Sequence, residues 1–167
     1  PLFTSCCPGW VRYVNSHFPQ TARHLSTAKS PQQMLGALIK SYFAEQQGID
    51  PETIYSVSIM PCVAKKSECA REDFTDACGE PDVDVVLTTR EVDRFLKRKN
   101  IDVANLEPIE LDQPMQDYTG AGTIFGATGG VMEAALRSAY FLATKTNADP
   151  DAFKEVRATK ETRVLPW

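Results

Sequence analysis

The sequence predicts an α/β fold, with helices alternating with short strands, and three stretches carry that prediction. In "SPQQMLGALIKSYFAEQQG" (30–48), Met34, Leu35, Leu38, Ile39, Tyr42 and Phe43 recur at helical spacing. In "ETIYSVSIMPC" (52–62), Tyr55, Val57 and Ile59 alternate with Ser56 and Ser58, the period of a strand. "DVDVVLTTREVDRFLKRKN" (82–100) then passes from a strand, about Val83 to Leu87, into a second helix.

Each element has a local reason. Residues 9 to 18 follow Pro8 and set Trp10, Val11, Val14 and Phe18 at helical spacing, so a short helix is expected. Ser30 suits the cap of the next helix and Pro31 its first position, while Gly48 stops it. Pro61 breaks the first strand and leaves Cys62 at its end. Thr88 or Thr89 caps the helix that follows the second strand. Residues 100–118 are acidic and proline-interrupted, and "LEPIELDQPMQD" reads as a surface loop. "GAGTIFGATGGVMEAALRSAYFLATKT" is a glycine-rich loop opening into a long helix, with Val131, Ala135, Leu136, Ala139 and Tyr140 on one side. "NADPD" is a turn, and residues 151–167 begin a further strand with no visible partner. No internal repeat or low-complexity segment interrupts this order.

Composition bounds the function. At 167 residues and 43% hydrophobic content, one domain with a real core fits without disulfide support. The 18 basic residues are dispersed and outweighed by 22 acidic ones, which argues against nucleic acid as a partner. No apolar run reaches the ~20 residues that span a bilayer, so no membrane association is expected. The chain opens on Pro1 and stops at "RVLPW" without a closing element, as a piece of a longer protein would.

The five cysteines, Cys6, Cys7, Cys62, Cys69 and Cys78, are an odd number in a helix-rich chain, so reduced thiols or metal ligands fit better than a disulfide framework. Cys7 precedes a helix and Cys62 ends a strand, and both neighbour a proline. Such junctions are where functional loops of α/β sheets collect. Successive side chains diverge, so if Cys7 binds a metal then Cys6 is free for another task. A thiol titrates close enough to neutrality to carry a proton. Spacing alone leaves alternatives open. The vicinal pair also suits a redox switch, and Cys62 also suits a buried small hydrophobe. Zinc is disfavoured, because there is no C-x-x-C and His17 and His24 lie outside ligand spacing. "GAGTIFG" is one residue too long for a dinucleotide fingerprint and follows no strand, so it fits close packing over a cofactor better than nucleotide binding.

"FTSCCPGW" (3–10) and "MPCVAKKSE" (60–68) together resemble the first two signature motifs of the FeFe-hydrogenases, the iron-only enzymes that make or split hydrogen. "SPQQ" (30–33), "TTRE" (88–91) and "GAGTIFGATGGVMEAALRSA" (120–139) resemble the same catalytic domain in the same order, so that the likeness runs to about residue 140. The resemblance implies part of a two-lobed catalytic domain, a mixed sheet flanked by helices, with residues 1–167 covering the first two cysteine motifs and lacking the third. It implies an H-cluster, in which a 4Fe–4S cubane is joined to a di-iron unit carrying carbon monoxide, cyanide and a bridging dithiolate. Cys7 and Cys62 would be two of the cubane ligands, Cys6 the proton carrier and Ser26 the next step of the proton path. Lys65 would donate to a cyanide, Gln32, Met60 and Phe125 would line the di-iron pocket, and Glu68 matches the acid beside the second motif. Cys69 and Cys78 match no ligand of the family and are expected to be incidental thiols.

The implied partners are H2 and protons, a ferredoxin or cytochrome electron carrier, and the missing C-terminal part of the same chain. The other two cubane ligands belong to that part, so the fragment alone is expected to be inactive and to expose a face meant for the other half. Cytoplasmic and periplasmic members both occur; cytoplasmic is the expectation. Two relatives of the fold compete with the enzyme: iron–sulfur assembly factors, which typically lack a cysteine at the Cys6 position, and hydrogen sensors. The pair "SCC" favours the enzyme.

Overall fold

The structure, a computed structural model, describes residues 1–75, 77–110, 112, 115, 119–153 and 156. The chain divides into two compact units, Pro1–Pro114 and Met115–Trp167.

In the first unit, helix α1 spans Pro8–His17. Helix α2 (Pro31–Leu38) runs through a π-helical turn, Ile39–Phe43, into α3 (Ala44–Gln47). Strand β1 (Val57–Met60), helix α4 (Ala64–Cys69) and strand β2 (Val85–Thr88) follow, and then α5 (Thr89–Arg98). β1 and β2 pair in parallel, from Val57 opposite Val85 to Met60 opposite Thr88. Parallel neighbours need a crossover, and the segment carrying α4 supplies it. The expected α/β class is therefore present, and the sheet among the described residues is a parallel pair.

The boundaries follow local chemistry. Pro8 stands at the start of α1, and Gly48 ends α3 at φ 64°, a left-handed conformation that glycine adopts without a Cβ penalty. Thr88 caps α5 with a reciprocal box: its hydroxyl accepts from the Glu91 N–H, and the Glu91 carboxylate accepts from the Thr88 N–H. Ser30 has the backbone of a cap, but its hydroxyl makes no capping bond and is committed elsewhere.

Periodicity identified the faces of α2 and β1 but not which face is buried. On α2 and its π-helical extension, the buried residues are Gln32, Gln33, Gly36 and Lys40; Met34, Leu35, Leu38 and Tyr42 are exposed. Gly36 is one reason. A Cβ there would lie 2.5 Å from the Asp82 carbonyl oxygen and 2.6 Å from a Val83 methyl, so the helix approaches the loop before β2 through its bare backbone. Lys40 is the other: its ammonium donates to the Pro81 carbonyl at 2.7 Å and to Asp84 at 2.9 Å, so the charge is buried with partners. On β1 the alternation is as expected with the sides exchanged. Val57 and Ile59 are 51% and 56% exposed, while Ser56 and Ser58 turn inward with Met60. Asp84 joins the two strands at their entry, because its carboxylate accepts from the Ser56 N–H at 2.6 Å. The first unit thus packs Val14, Ala44, Val83 and Val86 around a set of buried polar side chains.

In the second unit, α6 (Ala121–Ile124) turns into α7 (Gly130–Thr144) at Gly129 and Gly130. A Cβ at Gly130 would overlap the Ile124 carbonyl, so this turn needs glycine. α7 buries Gly130, Glu133 and Ala134, whereas of the residues expected to share one side, Ala135, Leu136, Ala139 and Tyr140 are exposed and Val131 is half-buried. Glu133 is fully buried against Arg137 at 3.0 Å, and Arg137 also donates to the carbonyls of Asp149, Pro150 and Ala152. One guanidinium therefore holds residues 149–152 to α7. The strand expected from residue 151 lies mostly outside the described residues; residues 151–153 form a turn.

Candidate functional site

The two motif cysteines sit at two helix starts that pack together. Cys7 is the N-cap of α1, with extended backbone, and its sulfur accepts from the Trp10 N–H at 3.4 Å. A cysteine replaces the usual hydroxyl or carboxylate here, which leaves an exposed sulfur at the helix end. Cys62 follows β1 through Pro61, and its carbonyl accepts from the backbone N–H of Lys65 at 3.2 Å as α4 begins. α1 packs on α4, which brings the "SCC" and "MPC" segments into one region. Cys6 and Cys62 are both half-buried, and all five cysteines are free thiols.

Behind the cysteines lies a buried ionic network. Lys65 and Glu68, one helical turn apart on α4, point inward and are 6% and 5% exposed. The Lys65 ammonium donates to the Cys6 carbonyl at 2.6 Å and to Glu68 Oε2 at 3.0 Å. The same oxygen accepts from Ser30 Oγ at 2.8 Å and from Gln32 Nε2 at 3.2 Å. Gln32 Oε1 in turn accepts from Ser58 Oγ at 2.9 Å. Side chains from α2, its cap, β1 and α4 thus form one network centred on a single carboxylate. Removing one member of a buried pair leaves an uncompensated charge and costs about 3–5 kcal/mol, so the network holds Lys65 in place beside Cys6.

The remaining site residues divide. Met60 is half-buried at the end of β1, on the Ser58 side. Ser26 is half-buried; its hydroxyl accepts from the Ala28 N–H at 3.1 Å, and it lines a cavity of about 380 Å³ with Ser30, Glu68, Arg12 and Arg71. No direct bond joins Ser26 to Cys6 among the described residues. Phe125 closes α6 in the second unit, where it is exposed. Cys69 donates its thiol to the Val83 carbonyl at 2.9 Å; burial, and then the charges of Asp84 and Glu68, raise its pKa and keep it protonated. That is the behaviour of a packed thiol rather than a ligand. Two members of the network, Ser30 and Ser58, were not among the site residues expected from the sequence. Ser30 reads as a cap, and Ser58 as the solvent side of a strand.

An iron–sulfur cubane takes four sulfur ligands in its common form. The described residues contain no group of three or more His, Cys, Asp or Glu able to hold a metal; Cys7 and Cys62 are the two motif thiols that could serve as ligands. The donor chemistry fits to that extent: two free thiols at adjoining helix starts, with a fixed buried cation next to them to offset an anionic group.

Comparison with known proteins identifies the family. Residues 1–165 match the family described as iron only hydrogenase large subunit, C-terminal domain. The chain is 53% identical over 157 residues to the NADP-reducing hydrogenase subunit HndD of Solidesulfovibrio fructosivorans, covering 94% of this chain and 27% of that protein. Its fold matches an apo FeFe-hydrogenase HydA1 from Chlamydomonas reinhardtii at a TM-score of 0.74 and 48% identity, over 89% of this chain and 37% of that one. It is also 41% identical to cytosolic iron-sulfur assembly component 3 of Pongo abelii, over 83% of this chain and 30% of that protein. The chain spans 27–37% of the length of the curated hydrogenases it matches. With two cysteine motifs, their inward lysine and glutamate, and a match over residues 1–165, the chain belongs to the family formed by the C-terminal domain of the iron-only hydrogenase large subunit.

Proposed function

We propose that this chain is part of an FeFe-hydrogenase that interconverts H2 with protons and electrons, and that it supplies two of the ligands and one wall of an H-cluster site. The observation that carries the reading is the buried Lys65, held between Glu68 and the Cys6 carbonyl immediately beside the motif cysteines. When bound, an H-cluster takes up electrons at its 4Fe–4S part and splits or forms H2 at its di-iron part.

The chain's own residues would do the following. Cys7 and Cys62 present thiolates from two packed helix starts. Lys65, anchored through two of its hydrogen bonds, offers a fixed cationic donor to a cyanide, a charge-assisted contact. Gln32 and Met60 line the pocket from α2 and β1, and Phe125 is assigned there through its motif. Glu68 holds Lys65 and Gln32 in register. Cys6 accepts and releases a proton at Sγ, and Ser26 continues the path. Electrons leave to a ferredoxin or cytochrome, the remaining ligands come from another part of the parent chain, and the compartment is the cytoplasm. On its own, the 167-residue chain is inactive.

A second reading, an iron–sulfur assembly protein, is favoured by the 41% identity to the assembly component. Cys6 separates the two, since the resemblance assigns the vicinal pair to the enzyme. Hydrogen–deuterium exchange by the full-length parent loaded with synthetic di-iron cofactor tests the proposal. Activity lost in Cys6→Ala, with carbonyl and cyanide infrared bands retained, supports it. A wild type that reconstitutes a cubane but never shows those bands supports the assembly reading.

A further inference from the structure

The Gln32 side chain is an amide whose two ends are nearly the same shape, so its partners decide which way round it sits. One end faces Glu68 Oε2 at 3.2 Å, and a carboxylate only accepts, so that end is the NH2. The other end, Oε1, therefore needs a donor, and Ser58 Oγ stands 2.9 Å away. Ser58 comes from β1, 26 residues along the chain, and its hydroxyl can donate or accept. Donating to Gln32 is the choice that makes the chain of bonds self-consistent, from Ser58 to Gln32 to Glu68. Gln32 is 8% exposed, so solvent does not supply an easy substitute for the hydroxyl. Ser30 adds a second neutral donor to the same Glu68 oxygen at 2.8 Å.

We propose that Ser58 is a positioning residue for the site: by donating to Oε1 it locks the Gln32 amide in place against Glu68, and Gln32 with Ser30 pins the Glu68 carboxylate and so fixes Lys65 against the Cys6 carbonyl. Without the Ser58 hydroxyl, Gln32 Oε1 is buried with no donor, and the amide shifts to relieve that unpaired oxygen. The shift loosens the amide's donation to Glu68 Oε2, the oxygen that holds Lys65. The sequence hides this role, because Ser58 in "YSVSIM" alternates with apolar residues like the wet side of a strand and in fact bonds Gln32.

The consequence at the cofactor rests on the hydrogenase reading; the lock does not, and the test separates them. In the full-length parent loaded with synthetic di-iron cofactor, Ser58→Ala is expected to shift the cyanide infrared bands while keeping them, and Ser58→Thr, which keeps a hydroxyl, to restore the wild-type positions. Cyanide bands in Ser58→Ala that coincide with wild type overturn the positioning role. In the cofactor-free parent, thermal unfolding of Ser58→Ala, Gln32→Ala and the double variant reads the lock itself. The expected result is a midpoint loss from Ser58→Ala that disappears in the Gln32→Ala background. Additive losses overturn the lock. If the wild type takes up no cofactor, the hydrogenase reading fails, and this second comparison alone decides whether Ser58 holds Gln32.

Discussion

At the scale of single residues, the site depends on a lysine and a glutamate that are buried because each has partners. Lys65 and Glu68 are charged residues of a type that rarely goes inside alone. Here the partners arrive from far along the chain: Cys6 is 59 positions from Lys65, and Ser30 and Gln32 are 38 and 36 from Glu68. Glu68→Ala is expected to destabilise the parent by about 3–5 kcal/mol, because it strands the Lys65 ammonium in the interior. Glu68→Gln keeps an acceptor oxygen and should cost less. Denaturant unfolding of the two variants checks the order, and equal losses would show that the retained acceptor oxygen counts for nothing and the charge alone is what Glu68 contributes.

The same residues show what was legible in the sequence. Cys6, Cys7, Cys62, Lys65 and Glu68 stand out through motif resemblance, and the structure brings the Cys6 backbone, Lys65 and Glu68 into direct contact. Ser30 and Ser58 do not stand out as site residues, because a capping serine and an alternating serine have ordinary local explanations. Their partners are 38 and 26 residues away, and no local pattern records such contacts.

At the scale of elements, the sequence located α1, the helix running from α2 to α3, α5, α7 and both strands, but not α4, and it left open which faces are buried. Periodicity states which residues share a side, and hydrophobicity normally names the inner side. In α2 and β1 that second step fails. Gly36 removes the side chain where α2 meets the Asp82–Val83 backbone, and Lys40 and Gln32 are satisfied inside. Gly36→Ala should therefore destabilise despite alanine's better helix propensity. A gain of about 1 kcal/mol from propensity is outweighed by overpacking of up to about 3 kcal/mol against backbone, for a net loss of up to about 2 kcal/mol. A chemical denaturation series reads this directly, and a stabilised Gly36→Ala would mean that the contact yields freely.

The start of α5 makes a pH-dependent contribution. Glu91 accepts from the Thr88 N–H, from Lys66 and from the Thr88 hydroxyl, which together lower its pKa from 4.5 to about 2. A depressed carboxylate stabilises the fold above its unfolded pKa, and the contribution is lost as pH falls through the folded one. The stability that Glu91 provides is therefore complete above about pH 4.5 and gone below about pH 2. Glu91→Gln should flatten the stability profile across that window. A profile unchanged from wild type would contradict the assignment.

At the scale of the whole chain, the first unit places polar groups inside and leaves apolar sides of α2 and β1 exposed, against the usual partition. That inversion and a length 27–37% of the matched hydrogenases fit the proposed reading of the chain as part of a larger catalytic domain. The α/β class was legible because it needs only the order of helices and strands. The inversion was not, since it depends on contacts that close only in three dimensions.

The central claim is that the two motifs serve hydrogen chemistry with separate tasks for the adjacent cysteines. Hydrogen–deuterium exchange by the full-length parent, loaded with synthetic di-iron cofactor and compared with Cys6→Ala, measures this most directly. The expected result is an active wild type and a variant slower by about 10²-fold or more, the scale of a lost proton-transfer group, with its carbonyl and cyanide bands intact. A Cys6→Ala protein that exchanges at the wild-type rate would contradict it.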